Sequence, residues 1–367
     1  MVAIAAVLAL SGAAVTSWRG SLAVATGVPQ PHPDPTPAPD PSPTPDPSGS
    51  DPSASSPAAT DPTPRALPTD PARWPVVPRI DQVMKDRLRA VFLQGQAAGN
   101  DPSVFAKVGD SITESKSFLA DIGCGQMNLA GHTDVLPAID VYSRVSFPAT
   151  YTTSWCGVAN SFTRDSVTAV EGWTAAIPLQ PFVGTPPDPS CAQAPYDAPL
   201  PCELHLLHPS VALIMYGTND VEHASDPTVF AQQLDTLVGA CLAAGVIPIL
   251  STIPPRPADA VMDARVQAYN GAIVKIAGAE RVPLVNYWRA LVQGDTVNEG
   301  ISGDGVHPNL YGGCAPHCES TDFSAAGLRY GYNVRNLTSL EALAKVLRIV
   351  IDDGSADTGT RYASPQR

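Results

Sequence analysis

Three observations predict an α/β domain with a mostly parallel sheet covered by helices on both faces. Short apolar runs alternate with stretches of helical periodicity from residue 79 to about residue 353. One of those runs, SVALIMYG at 210–217, is apolar without alternation, as a strand buried on both faces must be. Three short polar motifs follow predicted strands, at the carboxyl ends where such sheets hold their sites.

The elements follow in chain order. Residues 2–15, VAIAAVLALSGAAV, have the length of a signal-peptide core and fall short of the roughly 20 residues that span a bilayer. Residues 1–28 are therefore read as a signal peptide, with small residues at 23–25 for cleavage, or as a retained membrane anchor. Residues 29–78 hold 18 of the 39 prolines. Each proline fixes φ and removes a backbone donor, so this stretch is expected to be a disordered, extended linker.

The globular domain is expected at 79–353, with a disordered tail at 354–367. Ile80, Val83, Met84, Leu88, Val91 and Phe92 share one helical face. A strand follows in SVFAKVGDS, and the long span from about 121 to 204 shows little regularity beyond a helix near Ser166–Ala176. After the strand at 210–217, Val229, Phe230, Leu234, Leu237, Val238, Cys241 and Leu242 form a helical stripe that Gly245 ends. VIPILST (246–252) reads as a strand, 259–277 as a helix and VPLVNYW (282–288) as a strand. Thr338 with Glu341 reads as a capping box that opens a last helix.

Composition excludes some functions. The net charge of −13 repels phosphate backbones over most of the surface, which argues against nucleic acid as a partner. Neither a GxxxxGK[ST] loop, a GxGxxG fingerprint nor a GxSxG elbow occurs. The seven cysteines suggest disulfides and one remaining thiol. Cys241 lies on an apolar stripe and is the odd one. The other six allow 15 connectivities, and sequence proximity suggests Cys124 with Cys156, Cys191 with Cys202, and Cys314 with Cys318. Cys202, His205 and His208 have a metal-like spacing, but a structural zinc needs four ligands and a strand starts at Pro209.

The motifs carry the chemistry. Gly109-Asp110-Ser111 ends a strand, and glycine there allows the bend that exposes the serine hydroxyl. Gly217-Thr218-Asn219-Asp220 follows the most apolar strand, where the Asn219 amide can donate to a developing oxyanion. In Asp304-Gly305-Val306-His307-Pro308 the histidine can take a proton from a serine, and a carboxylate three residues earlier can orient it. Each motif alone also fits an ordinary turn or cap.

In this combination and order the motifs resemble those of the SGNH, or GDSL-type, hydrolases over roughly residues 103–350. The resemblance implies a flavodoxin-like three-layer α/β/α sandwich with Ser111 as nucleophile, His307 as base and Asp304 as its partner. It implies an oxyanion hole from the Ser111 N–H, a glycine N–H and Asn219, and a reaction without metal or organic cofactor. The glycine is Gly172, before the expected helix, with Gly131 as competitor. Tyr216, Trp173 and Trp288 read as core or wall. Asn333 and Arg335 reach the pocket or open a helix. His132, His205, His208 and His223 receive no role.

The expected function is a secreted or envelope-tethered, monomeric serine esterase acting on small-molecule or polymer esters, with acetyl groups on carbohydrate or cell-wall polymer as first choice. Lipase or thioesterase action on longer chains, and an inactive surface binding module, are the alternatives.

Overall fold

Four strands form one parallel sheet in the order β1-β2-β3-β4: β1 (Asp101–Gly109), β2 (Pro209–Met215), β3 (Ile247–Ser251) and β4 (Leu284–Val285). The computed structural model describes residues 70–314 and 316–357, all in the unit Thr63–Arg367. The expected signal or anchor and the linker up to residue 69 lie outside the described residues, as do 358–367 of the tail. A single parallel bridge between Gly109 and Ala169 continues the sheet beyond β1. With that edge position, the strand order is the doubly wound order of flavodoxin-like folds.

Every residue of β2 is buried, which accounts for its unbroken apolar run. The helices α1 (Gln82–Ala97), α2 (Ser111–Glu114), α3 (Ala120–Gly123), α4 (Leu136–Tyr142), α5 (Pro199–Leu207), α6 (Thr218–Glu222), α7 (Pro227–Ala243), α8 (Ala260–Glu280), α9 (Tyr287–Val292) and α10 (Gly331–Val346) surround it. Helix α4 packs on α10 near β1 and β4, and α7 packs on α8 near β3, so two helical layers enclose the sheet. Asp81, Asp226 and Asp259 accept the first free N–H groups of α1, α7 and α8, so each of these helices starts where a carboxylate can satisfy it. On α1, Met84, Leu88 and Phe92 are buried, whereas Val83, counted on the apolar face, is 54% exposed.

The six other cysteines pair as 124–156, 191–202 and 314–318, with Cys202 inside α5 and not in a loop, and Cys241 is a buried free thiol. Three disulfides suit an extracytoplasmic protein. No helix among the described residues is long and apolar enough to cross a membrane.

Several boundaries differ from the sequence reading. Residues 70–78, expected to be linker, are packed. Trp74 is buried, and Asn286 Nδ2 donates to the carbonyls of Pro71 (2.6 Å) and Trp74 (3.2 Å) while its backbone N–H donates to Val76 (2.9 Å). Proline density marks a stiff backbone, but it is silent about free carbonyls and one large apolar ring. The start of the expected tail is also held. The Asp357 N–H donates to Ile80 O (2.9 Å), and its carboxylate accepts from Ile80 N–H and Lys345 Nζ.

The strand expected at 282–288 shortens to β4 because Asn286 caps α9. Thr338 opens no helix. It lies inside α10, which starts at Gly331, and its hydroxyl donates back to Val334 O (2.8 Å). The helix expected at Ser166–Ala176 is absent because that backbone pairs with the end of β1.

Trp74→Ala is expected to destabilise the domain by about 3 kcal/mol, read as a lower urea midpoint at unchanged slope. A midpoint equal to the parent's would return residues 70–78 to the linker.

Candidate active site

The site begins where β1 stops. A methyl added at Gly109 would lie 2.2 Å from Thr113 Oγ1 and 2.6 Å from Met215 O, so only glycine fits. Its N–H donates to Thr168 O (3.0 Å) and its carbonyl accepts from Val170 N–H (3.2 Å). Asp110 then caps α2 by accepting from Ile112 N–H (3.0 Å), and the chain turns with Ser111 at the first helical position.

Ser111 Oγ lies 2.9 Å from His307 Nε2, and His307 Nδ1 lies 2.7 Å from Asp304 Oδ2. With the Nδ1 proton directed at Asp304, Nε2 accepts from the serine hydroxyl. The histidine loop holds itself in shape: Asp304 Oδ1 accepts from Ser302 Oγ (2.7 Å), Val306 N–H (2.8 Å) and His307 N–H (2.9 Å), and Ser302 N–H donates to His307 O (2.8 Å). Partial burial pushes the Asp304 pKa up. Hydrogen bonds from Val306, Ser302 and both donors of His307 outweigh that effect and hold the carboxyl well below the usual carboxylate range. Asp304 thus stays ionised and can stabilise an imidazolium if His307 takes the Ser111 proton.

The Gly217–Asp220 motif opens α6, just after β2. Asn219 Nδ2 donates to Trp173 O (2.9 Å), and Asp220 Oδ2 accepts from Ala175 N–H (3.2 Å). Together they fasten residues 173–175 to the end of β2. On the other side of Gly172, the Thr168 carbonyl accepts from Tyr216 OH (2.5 Å) as well as from Gly109, and Glu171 N–H donates to Glu114 on α2 (2.6 Å). Gly172, at φ +77°, is therefore held between α2 and α6. The reason offered for it from sequence, a following helix, does not hold, since sheet-edge pairing positions it instead. Gly131 belongs to a separate loop, where Asn128 bridges Asp322 and His132 meets the edge of Phe323.

Other residues sit as follows. Tyr216 is core, and Trp173 and Trp288 pack against the core. Arg335 lies inside α10, neither at a helix entry nor on the pocket surface. It is buried on the Phe118 ring (3.7 Å) and donates to Ile112 O (2.5 Å) and Thr113 Oγ1 (2.8 Å), which supports the serine turn from below. Asn333 Nδ2 donates to Asp322 O (2.9 Å). Cys202 is committed to its disulfide, and His205 stacks on Tyr196 (3.9 Å). Among the described residues no cluster of His, Cys, Asp or Glu could hold a metal.

Sequence reasoning missed two supports. Arg164 and Glu203 form a buried two-armed ion pair (2.6 and 2.9 Å), and Glu203 also accepts from Ser166 Oγ and Val167 N–H just before the Thr168 junction. Arg256 is buried after β3, pairs with Glu222 (2.8 Å) and donates to Thr218 O (3.4 Å), holding α6. Both arginines are isolated in sequence and carry no motif.

Burial pushes Asp220 up to about 6, against the lowering effect of the Ala175 N–H, and burial does the same to Asp110, also to about 6, against the Ile112 N–H and Arg335. Between about pH 4 and 6 the fold keeps protons that the unfolded chain has released, so these two groups make stability fall as pH rises through that window. Asp220→Asn should remove its share: relative to the parent, its Tm should gain ~2 °C or more between pH 4 and pH 7. Parallel pH profiles would show that Asp220 contributes no slope.

The family model described as "GDSL-like Lipase/Acylhydrolase family" matches residues 108–312. Among solved structures, the chain is similar to a GDSL-like lipase from Bacteroides thetaiotaomicron (16% identity, 71% of this chain and 98% of that one, TM-score 0.39). It is also similar to an acetyl esterase mutant solved with acetate (18%, 68% and 99%, TM-score 0.41) and to a carbohydrate esterase family 3 protein from Talaromyces cellulolyticus (19%, 68% and 98%, TM-score 0.41). No curated protein matches the chain significantly. Because the matched family span covers more than half of the 367 residues and contains all three motifs, the chain belongs to the GDSL-like lipase/acylhydrolase family.

Proposed function

We propose that this protein is a serine esterase that cleaves carboxylic esters through an acyl-enzyme, with short acyl groups on carbohydrate or cell-wall polymer as its substrates. The observation that carries the reading is the unbroken path from Ser111 Oγ through His307 to an ionised Asp304 at the carboxyl edge of the sheet.

Ser111 Oγ attacks the acyl carbon as its proton passes to His307 Nε2. The carbonyl oxygen becomes an oxyanion that accepts from the Ser111 N–H, the Gly172 N–H and the second Asn219 amide proton, the first being used on Trp173 O. Collapse of the intermediate breaks the bond to the alcohol, which leaves with the proton from His307. Water then enters, gives a proton to His307 and attacks the acyl-serine. The acid departs, and Ser111 recovers its proton. No step uses a metal or an organic cofactor.

The apolar segment at 2–15 and the proline-rich stretch support an exported protein, tethered or released, and the three disulfides agree with that compartment. The proline-rich stretch then acts as a spacer between the N-terminus and the domain.

Ser111→Ala should abolish hydrolysis of a short acyl ester and labelling by a fluorophosphonate probe. Residual turnover near the parent's in a pure preparation would remove Ser111 from the mechanism. Asn219→Ala should lower kcat by about 100-fold or more with the fold intact, and a neutral result would end its oxyanion role.

A further inference from the structure

Gly172 reaches the rim of the site with no side-chain packing to hold it. Glu171 and Gly172 are exposed, and a methyl added at Gly172 would meet no atom within 4 Å. Hydrogen bonds of the neighbouring residues therefore set its direction. Trp173 N–H donates to Val170 O (3.3 Å), which closes a turn with Glu171 and Gly172 at its two corners. The φ of +77° at Gly172 suits a type II turn, where the peptide between the corners carries the Gly172 N–H. Where that N–H points depends on how the turn is held.

Three ties hold it. Val170 N–H is fixed on Gly109 O (3.2 Å) before the turn, and Asn219 Nδ2 donates to Trp173 O (2.9 Å) after it. Between them, Glu114 Oε2 accepts from the Glu171 N–H at 2.6 Å, the short distance of a bond to a charged acceptor. Glu114 comes three residues after Ser111 on α2, where its own N–H donates to Asp110 O (2.9 Å) and the Ser115 N–H donates to Ser111 O (3.0 Å). One short helix thus carries both the nucleophile and the clamp on the glycine turn. The ion pair of Lys116 with Asp165 joins the same two stretches of chain, but it is exposed and lies seven residues before Gly172.

We propose that Glu114 is a positioning residue of the esterase: its carboxylate anchors the turn that presents the Gly172 N–H, so that this donor and the Ser111 N–H keep a fixed spacing. The proposal rests on the esterase reading above. Glu114 acts through the Glu171 N–H and not on the substrate. An oxyanion donor stabilises charge that develops only in the transition state. A turn released on its Glu114 side lets that donor swing away, which slows the chemical step and leaves ground-state binding nearly as it was.

The test reads kcat against KM on a short acyl ester. Glu114→Ala should lower kcat about tenfold, with KM changed less than about twofold. Labelling by a fluorophosphonate, whose phosphoryl oxygen takes the place of the oxyanion, should slow by a similar factor. Glu114→Gln keeps an oxygen that can accept from the Glu171 N–H and should recover most of the loss. Lys116→Ala, which removes the neighbouring tie, should stay within about twofold of the parent, and a Tm for each variant separates lost fold from lost rate. A parent-like kcat in Glu114→Ala would overturn the role, as would an effect confined to KM, an equal loss in Lys116→Ala, or a Glu114→Gln variant as slow as Glu114→Ala. Ser111→Ala in the same assays keeps the two readings apart: if it is inactive while Glu114→Ala is neutral, only the positioning role fails.

Discussion

The end of β1 must satisfy two neighbours in the space of one residue. Gly109 completes the sheet edge with Thr168 and Val170 in a space where an added methyl would collide with Thr113 and the Met215 carbonyl. A side chain there would push α2 away from β2, and the Ser111 hydroxyl would move with it. The same edge pairing brings residues 168–170 alongside and so delivers Gly172 beside α2. Asn219 and Asp220 then lock the far side of that segment to β2. Two of the motifs meet because one glycine lets three backbones converge, and the third reaches them through the Ser111–His307 contact.

Around that point the protein buries charge where it would otherwise place apolar side chains. Arg335, Asp110, Lys107 and the Arg164–Glu203 pair all lie under the site, and each is tied to the backbone or to a partner. Burial pushes Lys107 down to about 7, reinforced by Lys116 and Arg164, and its amine donates to Phe162 O (2.9 Å). Such groups add little net stability, but removing one partner leaves the other uncompensated at a cost of about 3–5 kcal/mol. What they provide is a single arrangement of the loops that carry Gly172 and Ser111.

The rim follows a different logic. Between β1 and β2 the chain makes only short helices and turns, so packing alone cannot hold its loops, and disulfides do part of that work. Sequence proximity was enough to pair these cysteines because each disulfide joins near neighbours in the chain, at separations of 32, 11 and 4. Proximity could not show that Trp155 and His317, 162 positions apart in number, stack on one another.

By itself the sequence determined most of the periodic elements and singled out the residues of the candidate site. The unbroken run of β2 and the stripes of α1 and α7, apart from the exposed Val83 and Val229, were legible because each depends on local spacing, and Ser111, Asn219, Asp304 and His307 stood out through the resemblance their motifs carry together. Tertiary structure decided what depends on a distant partner. Residues 70–78 belong to the domain because Asn286 and the core hold them, Gly172 is placed by a sheet edge and not by a helix, and Thr338 lies inside a helix that began seven residues earlier. Arg335 became part of the site only when α10 folded beneath the serine turn. Local pattern reports how a segment meets water and its immediate neighbours, whereas these outcomes turn on hydrogen bonds between residues up to 223 positions apart.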